Sequence, residues 1–383
     1  VERILSSSGY EISALADAWR PEFPVTERLI YLNHAAVAPL SRRAARAMQD
    51  LAQEVLDCGS LHYADMEAAY EGLRVAAARL INAHRDEIAI VKNTSEGIAT
   101  IAMGIDWRPG DAIVAFREEF PANYFPWKRL EARGVEVRWL SITDSLDRVA
   151  GAARGARLLA ISFVNYLTGY RVDLEAIGAI CKANRLIYLV DAIQGLGAFP
   201  IDVEAAHIDA LAADGHKWLL GPEGCGVLYV RRDLQDRVEP VEFGWTNIAG
   251  FNDYACRDMT LRPDAGRYEC GTLNTIGIYG LRAAVELLLD VGIASIAPAV
   301  LALTERIARG VTARGYELMA PRTPETASGI VTFRKPGVDP DALNRQLREA
   351  GVLGAPRQGG VRWSPHFYIT PAEIDRALEM LPD

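Results

Sequence analysis

The 383-residue chain is poor in cysteine: five are present, an odd number, at Cys58, Cys181, Cys225, Cys256 and Cys270, with no CxxC pair. That spacing suggests neither a disulfide framework nor a thiolate zinc site, and no other metal-binding pattern is present. Long apolar runs are missing too. A stretch such as Leu158–Val164 falls far below the roughly 18 residues needed to span a bilayer, and the N-terminal segment has no secretory apolar region. The first residue, Val1, points to a trimmed start, and the expected compartment is the cytoplasm. Basic charge is not in excess: 41 lysines and arginines face 50 aspartates and glutamates, for a net charge of −9, with the two signs interleaved. The chain therefore carries no electrostatic footprint for nucleic acid or an anionic membrane. HExxH, GxxxxGK[ST] and GxSxG are absent, and Gly195-Leu196-Gly197 lacks the third glycine of a dinucleotide fingerprint.

What is present is the composition of a globular protein, 50% hydrophobic and 24% charged, long enough for roughly two or three domains. Short apolar runs alternate with stretches of helical period, predicting an α/β fold with a mostly parallel sheet. The expected strands are Ile88–Val91, Ala112–Phe116, Val135–Leu140, Leu158–Val164, Leu186–Val190, Ile208–Ala212 and Gly226–Val230. Helices are expected at Met66–Ile81, after Ser95, at Ala122–Arg133 and at Leu174–Asn184. After about Leu261 the pattern changes. Long helices at Ile276–Leu289 and Ser295–Arg314, strands at Gly329–Phe333 and Val361–Trp363, and helices at Pro340–Ala350 and Pro371–Met380 read as a smaller α+β domain. The expected division is an N-terminal segment (1–30) packing with the small domain, a large domain (31–260), and a C-terminal part (261–383).

One lysine stands in unusual company. Lys217, in Asp214-Gly215-His216-Lys217-Trp218, lies between two apolar strands. A loop lysine is ordinarily solvated surface. Bulky apolar neighbours instead favour a desolvated amine of lowered pKa, suited to Schiff-base chemistry. Pyridoxal phosphate would need an acid at its ring nitrogen, a phosphate cup and a stacking group. Asp191, at the carboxyl end of a buried strand, is either that acid or a helix cap, and Gln194 follows it as a donor for the phenolic oxygen. Thr94 and Ser95 open a helix, either as an ordinary capping segment or as an anion site. Phe120 is a stacking ring or a core residue.

In this order and spacing, Thr94-Ser95-Glu96-Gly97, Val190-Asp191-Ala192-Ile193-Gln194 and Gly215-His216-Lys217 resemble the class V aminotransferase group of fold type I pyridoxal-phosphate enzymes. That group includes the cysteine desulfurases and the isopenicillin-N-epimerase-like proteins. The resemblance runs from Tyr31 to Asp375. It implies a mostly parallel seven-stranded sheet with helices on both faces and a smaller C-terminal domain. It also implies that Lys217 binds the cofactor covalently, Asp191 pairs with its ring nitrogen, Gln194 reaches its phenolic oxygen, and Thr94, Ser95 and His216 hold its phosphate. Phe120 stands where desulfurases carry a stacking histidine, and Asn165 matches an asparagine near cofactor and substrate. Thr272 matches a residue that touches the partner's phosphate, which implies a homodimer with its active site at the interface. Arg362 matches the arginine that grips the substrate α-carboxylate, with Arg357 a second candidate and Asn33, His34 and His62 expected near the substrate.

Two departures qualify the resemblance. Arg357-Gln358-Gly359-Gly360-Val361 lacks the cysteine that receives sulfur in the desulfurases. Asp214 stands where relatives have a phosphate-binding hydroxyl; a carboxylate there would repel a phosphate, so it is expected to turn away or pair with a basic group. The expected activity is that of an aminotransferase acting on an amino acid, with a C–S or other β-lyase as the alternative, an epimerase behind it, and a non-catalytic binding protein as the rival of a different class.

Overall fold

The computed structural model describes residues 9–382. Seven strands form the central sheet: β1 (Ile88–Val91), β2 (Ala112–Phe116), β3 (Glu136–Leu140), β4 (Leu158–Ser162), β5 (Ile187–Asp191), β6 (Ala210–Asp214) and β7 (Gly226–Val230). Their spatial order is β1-β7-β6-β5-β4-β2-β3. Only β7 runs against the others, so the sheet is mostly parallel. Strands β2, β4, β5, β6 and β7 are buried along their whole length, which is why they read as unbroken apolar runs rather than alternating ones.

Helices cover both faces of this sheet. The helices of the described residues are, in chain order, α1 (Gly9–Trp19), α2 (Arg42–Cys58), α3 (Tyr63–Ile81), α4 (Thr94–Gly104), α5 (Phe125–Leu130), α6 (Leu146–Ala153), α7 (Leu174–Asn184), α8 (Thr275–Val291), α9 (Ile293–Ala313), α10 (Pro340–Glu349) and α11 (Pro371–Glu379), of which α10 packs on the C-terminal sheet and α11 on α9. The helix expected over Ala122–Arg133 is broken instead into α5 between two short 3₁₀ turns, because Pro121 and Pro126 restart the chain there. The C-terminal part carries an antiparallel sheet of β8 (Glu317–Leu318), β9 (Val331–Arg334), β10 (Ala355–Arg357) and β11 (Gly360–Trp363), in the order β10-β11-β9-β8.

Two expected strand ends moved in a way that matters to the site. β5 runs one residue further than expected, so Asp191 is its last residue and not the first beyond it. β4 stops at Ser162, and Val164 makes only an isolated bridge to Arg171.

The N-terminal region is tied to the C-terminal helix. Arg20 Nη1 donates to Glu373 Oε2 (2.6 Å), and the Phe23 ring stacks on Tyr368 with centroids 3.7 Å apart. Residues 30–31 pair in parallel with Val352–Leu353, and Asn33 bridges Ser364. These pairings carry residues 33–38 over the carboxyl ends of the sheet, where Ala38 N–H donates to His216 C=O at 2.7 Å.

Candidate active site

In an open α/β sheet the carboxyl ends of the parallel strands are where ligands bind, and the candidate residues gather there. Asp191 ends β5, and Lys217 follows β6 in a loop closed by Gly221 N–H donating to Gly215 C=O (2.8 Å). Lys217 Nζ makes no hydrogen bond or ion pair among the described residues; it sits 5.7 Å from the centre of the Phe120 ring. Burial, opposed by Asp191 and reinforced by Arg362, brings the Lys217 amine down to about 8. Burial likewise lifts Asp191 to about 6, against a hydrogen bond from Ile193 N–H (3.1 Å) and the attraction of Lys217. The two groups couple electrostatically, as a cofactor lysine and its ring-nitrogen acid would.

Gln194 is held from two sides. Its Nε2 donates to Ala35 C=O (3.0 Å) and its Oε1 accepts from Trp218 Nε1 (3.0 Å), leaving one amide hydrogen free. Asn93 caps α4, its Oδ1 accepting from Glu96 N–H (2.9 Å), which leaves the first helical N–H groups, those of Thr94 and Ser95, with no helical acceptor. Thr94 Oγ1 accepts from Asp214 N–H (2.9 Å) and so ties α4 to β6. The Asp214 carboxylate turns to His216, with Oδ2 3.1 Å from Nδ1; its Oδ1 is buried without a hydrogen-bond partner.

Arg362 is almost wholly buried, at 1% exposure, and sits in β11. Its Nη1 donates to Tyr166 C=O (2.6 Å), while Nε and Nη2 have no hydrogen-bond partner among the described residues. Burial, then the Arg357 charge, depresses this guanidinium to about 9. A buried guanidinium with an empty edge is costly unless something anionic completes it, and that edge has the shape of a bidentate carboxylate clamp. Asn33 Oδ1 is a further buried acceptor without a donor.

The structure does not bring all the expected residues together. His34 is a core histidine and not a substrate group. Nδ1 faces Ser364 C=O (2.8 Å), Nε2 faces the Tyr368 hydroxyl (2.5 Å), and burial with neighbouring His366 holds it well below the usual histidine range. Asn165 spends its amide on its own turn: Oδ1 accepts from Leu167 N–H, Thr168 N–H and Thr168 Oγ1, and Nδ2 donates to Glu118 C=O. His62 is exposed and bonded to Glu54. Thr272 is exposed and lines a separate cavity of about 130 Å³ with Lys92, Glu96 and Cys270. Arg357 is half-buried and donates only to Pro356 C=O.

One residue escaped the sequence reading. Glu119, just after β2, accepts from Ser162 N–H (2.6 Å) and from the Ser162 hydroxyl; Ser162 is the register partner of Asp191. Burial, with the Asp191 charge adding to it, pushes Glu119 up to about 8. The signal was available: like Asp191, Glu119 is an acid at the carboxyl end of a buried apolar strand.

The family model for aminotransferase class-V matches residues 30–376. The chain belongs to this family. Among its relatives is a probable cysteine desulfurase of Methanothermobacter thermautotrophicus, 31% identical over 95% of this chain and 96% of that protein. Another, an uncharacterized aminotransferase of Bacillus subtilis, YcbU, is 28% identical over 95% of this chain and 97% of its own. A structure of the cystine C-S lyase C-DES with its product cysteine persulfide superposes with a TM-score of 0.87 at 24% identity, covering 93% of this chain and 98% of that one. A C-DES variant with glycine covalently linked to the pyridoxal-phosphate cofactor gives 0.88 at 24%, covering 94% and 98%. At that identity the likeness shows the fold, that of the fold type I enzymes. The class-V protein described here is a pyridoxal-phosphate-dependent enzyme. Its residues fit that cofactor: an unpaired, desolvated lysine faces a buried acid, and free N–H groups open α4.

Proposed function

We propose that this class-V enzyme is an aminotransferase that takes an α-amino acid by its carboxylate. The observation that carries the reading is Arg362, buried and with Nε and Nη2 unpaired, within electrostatic reach of Lys217. Bound pyridoxal phosphate supplies an electron sink for charge that develops at the substrate α-carbon. The residues do the rest. Lys217 would hold the cofactor covalently, and its amine, when free, is neutral enough near pH 8 to take the substrate α-proton. Asp191, as carboxylate, would pair with the cofactor's ring nitrogen, and the free amide hydrogen of Gln194 would serve its phenolic oxygen. The N–H groups of Thr94 and Ser95, with the Ser95 hydroxyl and His216, would hold the phosphate. Phe120, whose ring centre lies 5.7 Å from Lys217 Nζ, would stack on the cofactor and, unlike a histidine, would move no proton.

A second reading rests on one comparison. A relative is named a probable cysteine desulfurase, and a β-lyase would use the same lysine and the same arginine. Against a desulfurase stands the β10–β11 turn, Gln358-Gly359, which is tight and carries no thiol.

The enzyme is further read as a homodimer whose Thr272 segment completes the partner's phosphate site. Exposed Phe243, Trp245, Tyr254 and Met259, close in sequence to that segment, support this. Free cysteines fit a reducing compartment, and we place the enzyme in the cytoplasm.

The test is mass spectrometry of cofactor and products after the holoenzyme meets a panel of amino acids without added keto acid. Stoichiometric pyridoxamine phosphate with one keto acid establishes the transaminase half-reaction. Continuous pyruvate and ammonia with unchanged cofactor establishes the lyase and overturns the first reading.

A further inference from the structure

Away from the sheet's carboxyl ends, three different ligating side chains converge where α2 meets α3. Glu54 and Cys58 are four residues apart on α2 and so share a face of that helix. The helix then stops at Gly59, whose φ of +59° lets the chain reverse, and Leu61 N–H donates back to Cys58 C=O at 3.2 Å. That tight turn returns His62 over the same face, with its Nδ1 2.5 Å from Glu54 Oε1. One ligand atom from each of Glu54, Cys58 and His62 lies within 4.8 Å of the other two. The three side chains stand apart from the chemistry assigned to Lys217; the sequence analysis expects His62 near the substrate and gives Glu54 and Cys58 no role, because the three form no paired-cysteine pattern.

We propose that Glu54, Cys58 and His62 form a binding site for one divalent ion of the zinc class. The donor set chooses the metal. A thiolate, an imidazole and a single carboxylate suit a borderline-soft ion, whereas calcium and magnesium demand several oxygens. Three protein ligands leave a fourth tetrahedral position for water. Binding replaces the hydrogen bonds of Glu54 with His62 and with Cys58 by three metal bonds, and the Cys58 thiol proton passes to solvent as the thiolate coordinates. The nearby Asp57 is already engaged by Gln53 Nε2 at 2.8 Å and stays outside the set. The ion would pin the α2–α3 corner, a turn otherwise held by a few backbone bonds.

The experiment is equilibrium dialysis of the holoenzyme against zinc, with metal analysis, beside calorimetry at several pH values. One ion per chain is expected, with proton release. Losing even a supporting residue around a metal costs about 10–100-fold in affinity, so Cys58→Ser and His62→Ala should each weaken binding by at least about a hundredfold. Cys270→Ser, on another surface, should leave binding unchanged. In the unmutated enzyme zinc should also slow alkylation of Cys58, followed by peptide mass mapping, which keeps the test independent of how the variants fold. Absence of saturable binding, binding that survives both substitutions, or unchanged Cys58 alkylation would each overturn the site.

Discussion

At the scale of single residues, the chemistry follows from charged groups denied water. Lys217, Asp191, Glu119 and Arg362 are all shifted toward their neutral forms by burial, and each lies at the carboxyl ends of the strands or on the adjoining β11. Perturbed groups clustered in this way mark a functional centre. Glu119 gives a prediction with a definite sign. Its folded-state value, about 8, lies above its ordinary 4.5, so between these limits the unfolded chain gives up a proton that the folded chain keeps. Stability from this group therefore falls as pH rises from 4.5 toward 8, by up to roughly 1.4 kcal/mol per pH unit, and levels off above. Glu119→Gln keeps a side chain able to accept from Ser162 and removes the titration. Urea unfolding of the cofactor-free protein should show the variant gaining on the parent between pH 5 and 8, by about 1–3 kcal/mol; parallel pH profiles would contradict the burial argument. Lys217 and Asp191 were singled out because their neighbours in sequence form motifs, and Arg362 only because of the resemblance to the family. Glu119 was not, since its raised pKa comes first from burial and then from Asp191, opposed by Ser162, surroundings that only the register of β4 and β5 creates. His34, expected near the substrate, has its hydrogen-bond partners Ser364 and Tyr368 at the far end of the chain, where local sequence cannot show them.

Among elements, packing decides which loops can hold the site. The glycines of Gly195-Leu196-Gly197 serve close approach and not a dinucleotide. A Cβ on Gly195 would lie 2.2 Å from the Phe163 ring; on Gly197, 2.2 Å from the Trp218 carbonyl oxygen. Gly197 also has φ +99°, a conformation that favours glycine. Trp218 is the neighbour of Lys217 and the donor to Gln194, so this turn sets the lysine loop in place. Gly197→Ala should cost at least about 2 kcal/mol in stability. It should also speed cofactor loss, read by thermal unfolding and by dialysis of the holoenzyme. Unaltered retention would show that the turn does not position the loop. Strands were legible at this scale because they are fully buried and apolar. Ends were less so: whether Asp191 belongs to β5 depends on pairing with β6, which apolar pattern does not encode.

For the whole molecule, one apolar cluster joins the central sheet to α8, α9 and the C-terminal sheet, so the expected division near residue 261 does not separate two cores. The N-terminal region closes the arrangement through Arg20 and Phe23 on the C-terminal segment. What the single chain leaves open is Thr272, which is exposed and lines a cavity that does not include Lys217. Dimerisation predicts a sedimentation mass twice the 41.9 kDa of the chain. Trp245→Glu with Tyr254→Glu should shift it toward monomer with loss of cofactor. A fully active monomer would contradict the shared site. Such an interface is illegible to periodicity, because its apolar residues lie in irregular chain.

The central claim is that Lys217 removes the α-proton of an amino acid held by Arg362. It is tested most directly by incubating the holoenzyme with its amino acid in deuterium oxide and measuring α-deuterium in recovered substrate by mass spectrometry. The parent should exchange the α-position, Arg362→Ala should exchange far more slowly at subsaturating substrate, and Lys217→Ala should not exchange. Exchange that persists in Lys217→Ala at the parental rate would contradict the account.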